Sequence, residues 1–260
     1  MPALVFDCDG VLADTERDGH RVAFNRAFNS AGLPLRWDVD EYARFVRIGG
    51  GKERLAAALD PESVTLAAAT LGCPPEQVVA RLHSIKSAHF RRLVAEGAMP
   101  GRPGVARLVR EALEADWAVA VASSSALPSV RAVLQSAVGE DIEHEVRIFA
   151  GDQVAAKKPA PDIYLLALER LGVEPFEVVV VEDSAIGLTA ARHAGLRVLV
   201  TVSSYTAGEE FTGAAAVLSD LGEPDAPLDI LADPYMIMDG RAVVDIACLE
   251  AILESVSLGS

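Results

Sequence analysis

The sequence predicts an α/β protein: a core built on a doubly wound parallel sheet, with an all-helical domain inserted into it. Five short apolar runs, each followed by polar residues or glycine, have the pattern of buried strands that end at the edge of a parallel sheet. Stretches with helical periodicity lie between the runs, as in doubly wound folds. One long segment breaks this alternation, because its periodicity is helical and it contains no continuous strand-like run.

The first predicted strand covers residues 3–6 and stops at Asp7. The other predicted strands span residues 117–122, 146–150, 178–181 and 196–202. The predicted helices between them span residues 105–115, 163–171 and 185–194. Near the C-terminus, the pair Asp239-Gly240 predicts a β-hairpin between residues 235–238 and 241–244, followed by a helix from about residue 245.

The helical segment spans residues 15–93 and predicts a separate domain. Its hinges are expected at residues 13–15 and 100–104, where the second hinge contains two prolines and two glycines that interrupt regular structure. We therefore assign residues 1–14 and 94–260 to the α/β core and residues 15–93 to the helical domain.

The composition excludes several classes of protein. A content of 51% hydrophobic and 23% charged residues excludes a disordered chain. The longest apolar runs have six residues, whereas a membrane helix needs roughly 18. The chain has 23 basic and 38 acidic residues, and its net charge of −15 disfavours a nucleic-acid partner. The three cysteines lie far apart and support neither a disulfide framework nor a zinc site.

These observations also set expectations about location and partners. An apolar strand-like run begins within three residues of Met1, so we expect no secretory leader and a cytoplasmic protein. We expect a monomer that binds a small molecule, with no membrane and no nucleic acid as partner.

Polar side chains follow several of the predicted strands. Asp7 and Asp9 follow the first strand, and Glu182-Asp183 follows the strand at 178–181. Three serines follow the strand at 117–122, and Lys158 precedes the helix at 163–171. Because the carboxyl ends of parallel strands meet at one edge of a sheet, we expect these groups to converge. The three serines are Ser123, Ser124 and Ser125.

A cluster of carboxylates repels itself unless a hard cation neutralises it, and carboxylates with open water positions suit Mg²⁺. An aspartate held by a metal, with a second carboxylate two residues on, a hydroxyl and a lysine, is a constellation for phosphoryl transfer. Simpler explanations stay open for each part. The aspartates fit turn chemistry, the serines fit a cap of the helix that begins near Pro128, and Lys157-Lys158 fits a solvated loop.

Four motifs resemble those of the haloacid dehalogenase superfamily, in the same order and with the same spacing. They are Asp7-Cys8-Asp9-Gly10-Val11-Leu12, Ser123, Lys158-Pro159-Ala160-Pro161-Asp162 and Glu182-Asp183-Ser184. The resemblance implies a Rossmann-like catalytic core with a helical cap domain inserted after the first motif. Position 9 is Asp, whereas haloalkanoate dehalogenases have Tyr there. In this respect the sequence resembles the phosphatase and phosphomutase branch of the superfamily.

The resemblance also implies roles for these residues. Asp7 would attack phosphorus, and Asp9 would protonate the leaving alcohol and then activate water. Ser123 would bind phosphoryl oxygens, and Lys158 would bridge the phosphate and Asp7. Mg²⁺ would be held by Asp7, the Asp9 carbonyl and Asp183, with Glu182 beside it. Lys157 is not expected to act, because the family motif uses the Lys directly before Pro.

The helical domain contains a glycine run, residues 49–51, beside Lys52, Glu53 and Arg54. It is not a nucleotide-binding P-loop, because that motif would need Gly at position 46 and Ser or Thr at position 53. A glycine run beside cations suits an anion, and a plain helix-joining loop is the alternative. The segment Gly50-Gly51-Lys52-Glu53-Arg54 resembles the CbbY group, together with Glu16, His20, Lys86 and the stretch Lys157-Lys158-Pro159-Ala160-Pro161-Asp162-Ile163-Tyr164.

Members of the CbbY group remove a phosphate from xylulose 1,5-bisphosphate, and the resemblance implies the same substrate here. Glu16 and His20 stand four apart on the first helix and would bond sugar hydroxyls, whereas Lys52, Arg54 and Lys86 would meet a second phosphate. Ser124 and Ser125 are further candidates for substrate binding. For His20 and Lys86 the alternatives are an ordinary helix histidine and a solvated lysine.

Other functions remain open at this point. A phosphomutase similar to β-phosphoglucomutase shares the four motifs and the cap, and differs in keeping water away from the aspartyl phosphate. A broader sugar-monophosphate phosphatase is a second alternative. A non-catalytic binding protein is a third, although such a protein would be expected to lack Asp7 or Asp9.

Overall fold

A computed structural model of the chain describes residues 1–48, 50–97 and 99–255. The chain forms two compact units, Met1–Asp14 with Pro100–Ser260 and Thr15–Met99, which we call the core unit and the helical unit. The helical unit ends at Met99, beyond the predicted boundary at residue 93. The difference arises because the helix that carries Leu93 continues to Ala95.

The core unit is built on a seven-stranded sheet, which confirms the predicted fold class. The strand order is β3-β2-β1-β4-β5-β6-β7. All neighbouring pairs are parallel except β6 with β7. The strands are β1 (Ala3–Phe6), β2 (Ala118–Ala122), β3 (Arg147–Phe149), β4 (Val178–Glu182), β5 (Arg197–Thr201), β6 (Ala216–Leu218) and β7 (Ile230–Ala232).

The helical unit consists of five helices and two short turns over its described residues. Its helices are α1 (Arg21–Ser30), α2 (Val39–Val46), α3 (Gly51–Ala58), α4 (Pro61–Leu71) and α5 (Val78–Ala95). A π-helical turn, Glu16–His20, precedes α1, and a 3-10 turn, Pro75–Gln77, precedes α5. The interior of this unit is aromatic: Phe24 and Phe28 of α1 pack against Trp37, with ring centroids 5.0 and 4.9 Å away.

Helices cover both faces of the sheet in the core unit. Val5, Val180 and their neighbours on one face pack against Ile163 and Leu188 in a buried apolar cluster. The core helices are α6 (Val105–Glu114), α7 (Leu127–Val138), α8 (Glu140–Glu143), α9 (Asp162–Leu171), α10 (Ala185–His193) and α11 (Ile246–Glu254). The helices α6 and α11 also contact the sheet, α6 at β2 and α11 at β4.

The predicted C-terminal hairpin is wrong, although the turn at its centre is correct. Asp239 and Gly240 both have positive φ, and the Arg241 N–H donates to the Met238 carbonyl. The flanking residues form no strands, because their backbone groups bond elsewhere. The Asp233 carboxylate accepts from the amides at positions 237 and 238, and the Val244 amide donates to Leu221.

The short strands β6 and β7 were not predicted. β6 has three residues and extends the parallel sheet beside β5, whereas β7 pairs with it in the antiparallel direction. The predicted helix near the C-terminus is confirmed, because the Asp245 side chain accepts from the Cys248 amide and caps α11. Among the described residues, no helix combines the length and hydropathy that a membrane span requires. The monomeric state and the cytoplasmic location stay predictions.

Candidate active site

Three carboxylates converge where β1 and β4 end. Asp7 follows β1, Glu182 ends β4, and Asp183 comes next. One carboxylate oxygen from each of the three residues lies within 4.8 Å of the others. The exposed fractions are 7%, 1% and 7%, so water reaches these groups poorly. Parallel pairing of the two strands in register explains the convergence, as expected for the carboxyl edge of such a sheet.

Lys158 is the cation at the centre of this cluster. Its Nζ donates to Asp7 Oδ1 at 2.6 Å, to Glu182 Oε1 at 2.7 Å and to the Ala122 carbonyl at 3.0 Å. These contacts use all three N–H donors of the ammonium group. The neighbouring Lys157 is exposed, so the choice of Lys158 over Lys157 agrees with the geometry.

The charges of this cluster do not balance. Burial, against the opposing effect of Lys158 and with smaller contributions from Glu182 and Asp9, raises the pKa of Asp7 to about 7. Burial, Glu182 and Asp7 likewise raise the pKa of Asp183 well above its ordinary value. Although burial opposes it, the attraction of Asp7 and Glu182 raises the pKa of Lys158.

Lys158 pairs with Asp7 and Glu182 but not with Asp183, whose raised pKa is opposed by Arg102. The raised pKa values of Asp7 and Asp183 indicate excess negative charge that a hard cation with oxygen ligands would neutralise, so the donor set fits Mg²⁺.

Gly10 allows the loop after β1 to approach Asp183 closely. Its φ is +87°, and a Cβ at this position would overlap the Asp183 carboxylate. Arg102 stabilises this loop. Its guanidinium donates to the carbonyls of Gly10, Thr201, Val202 and Ser219. Arg102 therefore ties the loop after β1 to the ends of β5 and β6 through four backbone acceptors.

Asp9 and the serines that follow β2 meet in the core unit. Ser125 Oγ donates to Asp9 Oδ2 at 2.6 Å. The Ser125 amide donates to Ser123 Oγ at 3.1 Å, and the Ser123 amide donates to Phe149. Ser124 is half-buried. The capping alternative for the serines is wrong, because the N-cap residue of α7 is Ala126 and no side chain caps that helix.

The helical unit contains a second buried charge cluster. Arg54 Nη1 lies 2.8 Å from both oxygens of Glu16 and 2.7 Å from the Tyr42 hydroxyl. The remaining contacts of Arg54 are to the carbonyls of Ile48 and Val46. Although burial opposes it, the attraction of Glu16 raises the pKa of Arg54. Because the charge of Arg54 is already matched by Glu16, this arginine fixes the position of Glu16 and of the loop before α3.

His20 and Lys86 form a neighbouring pair. Lys86 Nζ lies 2.8 Å from His20 Nδ1 and over the rings of Phe24 and Phe90. His20 stacks on Phe90 with ring centroids 4.1 Å apart. Lys86 is 6% exposed, so the alternative of a solvated lysine is wrong. A buried ammonium on two aromatic faces is expected to be costly to remove and attractive to an anion.

The glycine run begins a helix. Gly50 has φ of +99° and precedes α3, and Gly51 is its first residue. Lys52 and Glu53 are exposed on the first turn. Gly49 lies outside the described residues. A Cβ at Gly51 would lie 3.0 Å from the ring of His83, so α3 begins close to α5 at this glycine.

Sequence reasoning missed Tyr42, His83, Arg102 and Tyr164. Tyr42 and Tyr164 sit in apolar helix faces, where the pattern indicates only core packing. Arg102 lies in the predicted hinge, and its bonds go to backbone groups more than ninety positions away along the chain. No short-range signal identifies any of these roles, although Tyr164 is the last residue of the stretch from Lys157 that resembles the CbbY group.

Comparisons with known proteins agree with the motifs. The family model of haloacid dehalogenase-like hydrolases matches residues 1–195. A CBBY-like protein of Arabidopsis thaliana is 47% identical over 222 residues, which cover 85% of this chain and 70% of that protein. The plasmid protein CbbY of Cupriavidus necator is 42% identical over 232 residues, 88% of this chain and 89% of that protein.

A solved structure gives the same result. An Asp-to-Asn variant of CbbY from Rhodobacter sphaeroides, in complex with xylulose 1,5-bisphosphate, matches with a TM-score of 0.72 and 40% identity. The match covers 85% of this chain and 95% of that chain. The family model and these relatives agree with the cluster of acidic residues, lysine and serines. This chain therefore belongs to the haloacid dehalogenase-like hydrolases, in their CbbY-like group, and is a phosphatase.

Proposed function

We propose that this phosphatase removes a phosphate from a sugar bisphosphate, and that its substrate is xylulose 1,5-bisphosphate. The observation that carries the reaction is the buried cluster of Asp7, Lys158, Glu182 and Asp183 at the carboxyl edge of the sheet. The observation that supports the substrate is the relative that was solved with this bisphosphate at 40% identity.

Asp7 is proposed as the nucleophile. One of its carboxylate oxygens attacks phosphorus, the bond from phosphorus to the sugar oxygen breaks, and Asp9 donates a proton to that oxygen. In the second step Asp9 takes a proton from water, the water oxygen attacks phosphorus, and the bond to Asp7 breaks. The contact with Lys158 at 2.6 Å fixes the orientation of the Asp7 carboxylate. The bond from Ser125 does the same for Asp9.

Mg²⁺ is the proposed cofactor, with Asp7, the Asp9 carbonyl and Asp183 as ligands and Glu182 beside it. When bound, the ion supplies positive charge that stabilises the phosphoryl oxygens as they approach the carboxylate. Ser123, Ser124 and Ser125 are proposed to bind phosphoryl oxygens, together with Lys158.

The helical unit is proposed to bind the sugar and its second phosphate. Lys52 is exposed at the start of α3, beside Gly50, Gly51 and Glu53, and is the proposed phosphate ligand. Lys86 and His20 are proposed to contribute the second cation and a donor to a sugar hydroxyl. Glu16 is proposed to accept from a sugar hydroxyl, with Arg54 holding it in place.

The first experiment measures phosphate release from xylulose 1,5-bisphosphate, ribulose 1,5-bisphosphate and a panel of sugar monophosphates. We expect strong selectivity for xylulose 1,5-bisphosphate, loss of release with EDTA and its recovery when Mg²⁺ is added. Asp7→Asn is expected to reduce release by at least about a thousandfold, because the nucleophile is lost. Asp152→Asn, at an exposed position of the core unit, is the matched control.

The other outcomes separate the alternatives. Similar release from many monophosphates would contradict the bisphosphate proposal and indicate a broader phosphatase. An isomerised sugar phosphate with little free phosphate would indicate a phosphomutase. Full activity of Asp7→Asn would contradict the proposed nucleophile.

A further inference from the structure

Tyr164 is a buried residue of α9 that none of the proposed steps uses. It is 0% exposed and lies six residues after Lys158, in the first turn of the helix. Its ring belongs to the apolar cluster beneath the sheet, where a Phe would satisfy packing equally well. The hydroxyl group therefore needs a separate explanation, since a buried polar group is costly unless it forms a hydrogen bond.

Tyr164 contacts both members of an ion pair in the active site. Its hydroxyl donates to Glu182 Oε1, the same oxygen that accepts from Lys158. The Lys158 Nζ also lies over the Tyr164 ring, 4.8 Å from its centroid. Tyr164 thus contacts the Glu182 carboxylate through its hydroxyl group and the Lys158 ammonium through its aromatic face.

Glu182 has few ways to compensate for the loss of a partner. It is 1% exposed, and a Cβ at Gly187 would overlap its carboxylate, so α10 packs directly against it. Its other oxygen, Oε2, accepts from the Asp183 amide at 3.2 Å. Without Tyr164, Oε1 would rely on Lys158 alone among the hydrogen bonds found in the described residues.

Lys158 has no spare hydrogen-bond donor, because its three N–H groups bond to Asp7, Glu182 and the Ala122 carbonyl. To bond a phosphoryl oxygen, Lys158 has to release one of these acceptors. Releasing Glu182 is inexpensive only if that carboxylate keeps another donor, because a buried unpaired carboxylate is strongly unfavourable.

We propose that Tyr164 is a positioning residue for phosphoryl transfer: its hydroxyl holds Glu182 while Lys158 exchanges Glu182 for a phosphoryl oxygen, and its ring guides the ammonium during that exchange. The proposal rests on the proposed function, in which Lys158 serves the phosphoryl group. It adds a residue whose contacts with the active site are to Glu182 and Lys158, so that it acts through them.

Two variants separate the two contacts. Tyr164→Phe removes the hydroxyl and keeps the ring, whereas Tyr164→Leu removes both. We expect Tyr164→Phe to lower kcat about tenfold, which corresponds to about 1.4 kcal/mol in the activation barrier, with KM changed less than about twofold. Tyr164→Leu is expected to lower kcat by a further factor of about three. Tyr235→Phe, at a residue that is 41% exposed, is the matched control and is expected to leave both constants unchanged.

The constants are measured with xylulose 1,5-bisphosphate and with a simple aryl phosphate, and thermal unfolding of each variant is recorded beside them. A fall in kcat at constant KM and unchanged unfolding temperature is not explained by a merely structural role. Wild-type kcat in Tyr164→Phe, or a fall that disappears when activity is corrected for the folded fraction, would overturn the proposal.

The two substrates distinguish failure of this proposal from failure of the proposed function. A fall in kcat on both substrates, without preference for the bisphosphate, supports the role of Tyr164 and contradicts only the substrate. A wild-type enzyme with Mg²⁺ that releases no phosphate from either compound would overturn both.

Discussion

The core unit and the helical unit differ in the sign of their charge. The core unit has 28 acidic and 11 basic residues, whereas the helical unit has 10 acidic and 12 basic residues. The buried groups follow the same division. In the core unit three carboxylates lie close together, and Lys158 pairs with two of them, Asp7 and Glu182. In the helical unit the carboxylate of Glu16 is matched by Arg54, and Lys86 adds a second buried cation.

The difference shows that the two units satisfy their buried charges in opposite ways. The helical unit balances Glu16 internally, with an arginine whose contacts to the carboxylate are both 2.8 Å. The core unit keeps an excess of negative charge, which raises the pKa of Asp7 and of Asp183. A site that is destabilised in this way is suited to bind a cation, and perturbed groups of this kind mark functional sites.

The largest expected effect compares one glycine from each unit. Gly10→Ala places a Cβ against the Asp183 carboxylate, so we expect phosphate release to fall at least about a thousandfold, about 4 kcal/mol. Gly72→Ala is the matched control in the helical unit, because Gly72 also has positive φ but a Cβ there meets nothing within 4 Å. It is expected to cost about 1 kcal/mol of folding stability and no activity.

Phosphate release and urea unfolding of both variants check this prediction. Equal loss of activity in the two alanine variants would contradict it, because strain at positive φ would then explain both results.

The next effect concerns the charge balance of the helical unit. Arg54→Met removes the buried ion pair between Arg54 and Glu16, and we expect the free energy of unfolding to fall by about 3 kcal/mol. The side chains of Arg54 and Glu16 are 10% and 17% exposed. Arg92→Met is the matched control, since Arg92 and Glu96 form an ion pair that is 73% and 46% exposed.

We expect Arg92→Met to change stability by less than about 0.5 kcal/mol, because exposed pairs contribute little. Urea unfolding measures both variants. Similar losses of stability in the two variants would contradict the prediction, because the buried pair of Arg54 and Glu16 would then contribute no more than the exposed pair of Arg92 and Glu96.

The most gradual effect is a pair of opposite pH responses in the absence of metal, each spread over several pH units. Asp7 has a pKa of about 7 in the folded chain against 3.8 ordinarily, because burial raises it. The folded state then binds the extra proton, so the contribution of Asp7 to stability is lost as pH rises from about 4 to about 7. One proton limits the slope to about 1.4 kcal/mol per pH unit.

His83 of the helical unit responds in the other direction. Burial, with Lys86 and Lys52, lowers its pKa from 6.5 to about 4, and His20 also lowers it while Glu53 opposes the change. The unfolded state binds the extra proton, so stability is lost as pH falls from about 6.5 to about 4.

Urea unfolding in EDTA across this pH range, for wild type, Asp7→Asn and His83→Gln, separates the two slopes. Asp7→Asn is expected to remove the loss of stability as pH rises to about 7, and His83→Gln is expected to remove the loss as pH falls to about 4. Mg²⁺ is expected to reduce the Asp7 slope alone, because the ion favours the ionised carboxylate. A His83→Gln profile identical to that of wild type would contradict the second half of the prediction.

Local patterns were sufficient for the strands that form the centre of the sheet. The run at 178–181 contains only valines, and it is β4 in the structure with one residue added. The short strands β6 and β7 were not predicted, although β3, which also has three residues, lies within the predicted run at 146–150. β7 is exposed at all three residues and antiparallel, unlike the buried parallel strands that the apolar pattern detects. The turn at Asp239-Gly240 was predicted correctly, but a turn alone does not provide partners for the residues beside it.

The sequence by itself determined the alternation of strands and helices, the helical insertion and the residues that gather at the sheet edge. It could do so because side-chain periodicity and strand ends are local properties. Only the tertiary structure decided how those residues are bonded: that Lys158 uses three acceptors, that Tyr164 supports Glu182, and that Arg54 serves Glu16. Such contacts join residues distant along the chain, and their geometry depends on the packing of whole elements, which no local pattern records.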